Sequence, residues 1–88
     1  MKKKIRVDLN DPAIVWTSYD LGVAVALLYL GYELLSLDRS SARKVLFIFR
    51  RDERIDDIAN SYFADKLELN ARAFFDQLKA LKSRLYSE

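Results

Sequence analysis

The chain has 88 residues, 51% of them hydrophobic, with five Phe, five Tyr and one Trp, which is enough apolar material for the core of one small domain. It has no Cys and no His, which excludes disulfides, thiolate or imidazole metal sites and the usual neutral-pH general base; no catalytic residue, metal or cofactor is expected. The net charge of +2 rests on Lys2, Lys3 and Lys4, and without them the remainder carries one more acid than base, so charge balance alone is a weak pointer to nucleic acid.

Residues 1–4 read as a basic leader and 5–88 as a single domain. Ile5, Val7 and Leu9 alternate with Lys4, Arg6 and Asp8 as in a half-buried strand that Asn10, Asp11 and Pro12 interrupt. A short apolar piece, 13–16, follows. Thr17 and Asp20 are spaced as a capping box with Trp16 and Leu21 as its hydrophobic staple, which predicts a helix from Thr17 to about Leu30 that stops at Gly31. This helix is apolar on nearly every side, so a sheet should cover one face and helices another. Its apolar stretch, Leu21 to Tyr32, is shorter than the roughly 20 residues of a membrane span, and no signal-peptide pattern precedes it; a cytoplasmic protein without a membrane partner is expected.

Residues 32–38 and 44–49 read as the strands of a hairpin around Arg39, Ser40, Ser41 and Ala42. Val45, Phe47 and Phe49 alternate with Leu46 and Ile48, apolar on both faces, as a central strand requires. Asp52 and Glu53 suit the start of a second helix with an apolar stripe of Ile55, Ile58, Ala59, Tyr62 and Phe63. Residues 66–69 read as a short edge strand or an extended link. Asn70 is placed to cap a last helix with a buried stripe of Ala71, Phe74, Phe75, Leu78, Leu81 and Leu85. The expected fold class is α+β: a hairpin-containing sheet of two to four short strands packed with three helices.

Three groups of residues are candidates for function. Asp52, Glu53, Asp56 and Asp57 have i, i+4 spacing that could share a divalent cation, but with no phosphate loop, base or further carboxylate motif they read as helix-initiating acids on a solvated face. Arg39, Arg43, Lys44, Arg50 and Arg51 flank the hairpin with no acid between positions 39 and 51, and Lys79, Lys82 and Arg84 form a second basic group at the end of the last helix. Together they are the candidate nucleic-acid surface, set against solvated charge and compensation of the helix dipole. Tyr19, Tyr29, Tyr32, Tyr62 and Tyr86 suit boundary positions and are the candidate interface residues for a protein partner or a homo-oligomer. No small-molecule substrate is indicated.

The run TSYDLGVAVALLYLGYELLSLDRS, then RKVLFIF, then SYFADKLELNARAFFDQLKALKSRLYS resembles a small uncharacterised domain family of bacteria and their phages over about residues 17–87. Its most specific portions are Thr17 and Asp20, the strand Phe47-Ile48-Phe49, Tyr62-Phe63, the run 71–75 and the tail 81–86. The resemblance implies a free-standing domain, a phage or mobile-element setting and no assigned activity. The functional expectation is therefore a non-enzymatic accessory or regulatory module acting through protein contacts, with nucleic-acid association by the basic residues as the alternative.

Overall fold

In the computed structural model the chain is described over residues 8–87 and folds as strand β1 (Val15–Ser18), helix α1 (Leu21–Tyr29), strands β2 (Leu34–Asp38) and β3 (Leu46–Arg50), then helices α2 (Ile55–Phe63) and α3 (Ala71–Ser87). This is the α+β arrangement expected, with three strands. The basic leader and the Ile5 and Val7 part of the first predicted strand lie outside the described residues, while Asp8 and Leu9 belong to no strand.

The sheet is antiparallel throughout in the order β1-β3-β2, so β3 is central, as its two apolar faces require. Phe49 faces Trp16 on one side and Leu34 on the other, and a bulge between Leu34 and Ser36 shifts the register of β2. Phe47 and Phe49 join Ala24, Val25 and Leu27 of α1, Ile55 of α2 and Leu81 of α3 in one buried cluster. The middle of α1, from Val23 to Leu27, is fully buried because the sheet lies on one side of it and α2 and α3 pack on the other. A nine-residue helix whose one polar side-chain group is the Tyr29 hydroxyl can be stable only when enclosed in this way.

Several boundaries differ from the sequence reading. Thr17 is a strand residue, paired with Ile48, and the cap of α1 is Asp20 alone, whose Oδ1 accepts the Val23 N–H at 2.9 Å. Pairing with β3 outcompetes the predicted capping box, so the expected staple between Trp16 and Leu21 has no helix start to span. The second helix begins at Ile55, not at Asp52; residues 66–69 are an extended link without strand partners. Asn70 caps α3 as predicted, its Oδ1 accepting from the Ala73 N–H at 3.0 Å.

Both short helices end in the same device. After α1, Gly31 (φ +92°) and Tyr32 donate to the carbonyls of Leu28 and Leu27; after α2, Asp65 (φ +60°) and Lys66 donate to Tyr62 and Ser61. This paired closure needs a left-handed residue, which costs glycine nothing and costs aspartate its Cβ contacts. Asp65→Gly should therefore stabilise the fold by about 0.5–1 kcal/mol and raise the melting temperature by a few degrees in a dilute thermal unfolding experiment. An unchanged or lower melting temperature would mean that the Asp65 side chain compensates for its backbone.

Candidate functional site

The register fixes which residues share an end of the molecule. Ser18 and Asp38 lie beside the start of β3, so the hairpin loop and the β1–α1 junction are at one end, whereas Val15, Leu34 and Arg50 are at the other. The expected basic rim is thereby divided. Six residues of extended chain, about 20 Å, separate Lys44 from Arg50. At the hairpin end, the Lys44 ammonium lies 4.8 Å from the centre of the Tyr19 ring, and the Arg39 guanidinium donates to the Leu85 carbonyl at 2.9 Å. That bond carries the loop onto the last turn of α3, next to Lys82, Arg84 and the 84% exposed Tyr86.

At the opposite end, Arg50 and Arg51 enter a cleft of about 500 Å³ with Tyr32, Glu33, Asp52 and Arg54. Two of its arginines are paired. Arg50 pairs with Glu33 at 3.0 Å, and Arg51 pairs with Asp56 while donating to the Val15 carbonyl at 3.2 Å. The Asp52 Oδ1 accepts from the Tyr32 hydroxyl at 2.8 Å and from the Arg54 N–H at 3.0 Å. Partial desolvation pushes the Asp52 carboxyl upward, but the Tyr32 bond, the Arg54 and Ile55 amides and the Arg54 charge outweigh it and hold the carboxyl below its ordinary value. Desolvation, then the bond to Asp52, raises the Tyr32 hydroxyl correspondingly. Asp52 thus occupies the positive start of α2 that an external anion would use. Among the described residues no group of three or more acids is placed to hold a metal ion, so Asp52, Glu53, Asp56 and Asp57 form no such centre.

The five tyrosines do not meet in one interface. Tyr19 and Tyr86 lie at the hairpin end, Tyr32 in the arginine cleft, and the Tyr29 hydroxyl accepts the Asn70 N–H at 3.1 Å. Only Tyr62 borders a second concavity, more apolar than the arginine cleft. This is a groove of about 590 Å³ between the end of α2, the 65–69 link and the first half of α3, where Tyr62, Leu67, Leu69, Phe74 and Leu78 form the floor and walls. Phe63 and Phe75 frame it at 57% and 54% exposure. The Phe63 ring stands edge-on to Tyr62 at 5.3 Å, and the Lys79 ammonium lies 5.4 Å from the centre of the Phe75 ring.

Phe63 and Phe75 were expected in the core stripes and are not there. Tyr62-Phe63 and Phe74-Phe75 are adjacent pairs, and neighbours on a helix point about 100° apart, so one ring of each pair must leave the core. That spacing was the available signal. Leu67 and Leu69 gave another, since alternate residues of an extended link fall on one side.

No described helix is long and apolar enough to cross a membrane. No curated protein and no solved structure matches the chain. A family model does match, over residues 15–87, which takes in every strand and helix described above and agrees with the span of the sequence resemblance. The chain belongs to the DUF5659 family, a domain of unknown function.

Proposed function

We propose that this domain is a non-enzymatic, cytoplasmic interaction module, in the phage or mobile-element setting implied by the sequence resemblance, and that it works through the groove between α2, the 65–69 link and α3. The observation that carries this reading is the pair of phenylalanines, each more than half exposed, on the rim of a concavity whose lining is otherwise mostly apolar. Two Phe rings left in water by a domain this small are a standing cost that a partner would remove.

The occupant proposed is a second copy of the chain. The two margins of the groove differ in charge: Asp65 lines the link side, and Lys79, outside the lining, lies over the Phe75 ring on the α3 side. A two-fold axis running along the groove lays the α3 side of one copy on the link side of the other, bringing Lys79 towards Asp65 while the four Phe rings close over one another. A partner of a single charge sign would be attracted by one wall and repelled by the other. Sedimentation equilibrium over a broad concentration range should show a monomer–dimer equilibrium, and Phe75→Ser or Phe63→Ser should weaken it at least tenfold while the circular dichroism spectrum stays unchanged. A wild-type chain that remains monomeric throughout, or a Phe75→Ser chain that associates as well as the wild type, would sink the dimer.

A further inference from the structure

We infer that the hairpin end of the molecule, remote from the arginine cleft, is a binding surface for single-stranded nucleic acid. Two basic segments some forty residues apart in sequence meet there. The loop supplies Arg39, Arg43 and Lys44, and the last turns of α3 supply Lys82 and Arg84. The hydrogen bond from Arg39 to the Leu85 carbonyl joins them and covers an acceptor at the negative end of the α3 dipole, which would otherwise oppose phosphate.

Two described carboxylates of this end, Asp38 and Asp20, are hydrogen-bonded locally. Asp38 accepts the Ser40 N–H at 2.8 Å, and that backbone bond, followed by the Ser40 side chain, holds its carboxyl below the ordinary value. Asp20 is committed to the cap of α1, and Asp65 belongs to the groove. Among the described residues, the cations Arg39, Arg43, Lys44 and Lys82 outnumber Asp20 and Asp38.

The partner class follows from the aromatic rings. Tyr19 and Tyr86 are 52% and 84% exposed at this same end. One face of the Tyr19 ring holds the Lys44 ammonium, 4.8 Å from its centre. Exposed rings among phosphate-binding cations suit bases that are free to stack, which a duplex withholds. The loop carries no glycine, so the surface offers stacking and charge rather than a backbone clamp of the kind that reads sequence. Binding tolerant of sequence and selective for single strands is the expected behaviour.

The test is a fluorescence-anisotropy titration of the full chain with labelled mixed-sequence single-stranded DNA, single-stranded RNA and duplex DNA. Saturable binding should favour single strands over duplex, and three to five phosphate contacts predict a loss of roughly 20- to 100-fold between about 50 and 200 mM salt. The double variant Arg43→Glu, Lys82→Glu should weaken binding at least tenfold. An isocharged control at the opposite end, Arg54→Glu with Arg72→Glu, should stay within about threefold of wild type, since remote charges are screened. Tyr19→Ser should cost about tenfold, the scale of one stacked base. The proposal is overturned by absence of saturable binding, by equal losses in the two double variants, by preference for duplex, or by binding that disappears when Lys2, Lys3 and Lys4 are changed to Gln and survives Arg43→Glu, Lys82→Glu. Comparison of the DNA and RNA arms decides which single strand is preferred. Circular dichroism of each variant separates loss of binding from loss of fold.

Discussion

Phe49→Ala should remove about 3–5 kcal/mol of stability and leave a large unfolded population at room temperature. The reason is its position in the central strand, fully buried, with Trp16 and Leu34 as cross-strand neighbours and α1, α2 and α3 all represented in the cluster it joins. The total stability of a chain this size is on the order of 4–13 kcal/mol, so one cavity there approaches the whole margin of a weakly stable domain. Urea unfolding followed by tryptophan fluorescence at Trp16 would read the loss as a lower midpoint. Ser36→Ala, on the neighbouring strand but away from the cluster, should change stability by less than about 1 kcal/mol in the same experiment. If Phe49→Ala cost no more than that control, the convergence of all three helices on this ring would be wrong.

Gly22→Ala should destabilise the domain by about 1–3 kcal/mol, against the ordinary preference of a helix for alanine over glycine. Gly22 lies in the first turn of α1, where a Cβ would overlap the Tyr62 hydroxyl oxygen and come within 2.9 Å of the ring carbon that bears it. Tyr62 sits across the α1–α2 contact; desolvation raises the pKa of its hydroxyl, and the nearby Asp20 charge adds to the effect. The missing side chain of Gly22 thus makes the space in which the phenol rests. In a Tyr62→Leu background the clash partner is gone, and Gly22→Ala should become neutral or stabilising, as helix propensity alone dictates. That change of sign, measured as a coupling free energy in a double-mutant cycle, is the decisive result. A destabilisation of the same size in both backgrounds would place the cost of alanine elsewhere.

The local rules that the sequence obeys were legible because they act within a few residues. Asn70 caps α3 and Gly31 closes α1 through short-range hydrogen bonds, and the alternation of Val45, Phe47 and Phe49 with Leu46 and Ile48 marks a strand between two others. An apolar helix that cannot face water has to be enclosed, and α1 is. Where local signals competed with pairing, the sequence misled: Thr17 has the spacing of a capping residue, but its backbone forms the β1–β3 ladder, and Asp20 takes over the cap. A propensity is worth tenths of a kilocalorie to about one, and several strand pairs acting together exceed it.

The surfaces were less legible than the core, because they join residues distant in the chain. Arg39 and Lys82 lie on one end only because β2 and α3 both finish there, while Arg50 and Arg51, close to Lys44 in sequence, are carried away along the length of β3 and neutralised by Glu33 and Asp56. The groove depends likewise on how the 65–69 link returns the chain from the end of α2 to the start of α3 beside α1. By itself the sequence determined the fold class, the identity of the central strand and the enclosed helix, since hydrophobic period and capping chemistry are local. Only the tertiary structure decided which cations share a surface and which phenylalanines remain in water, because those depend on the directions in which packed elements run.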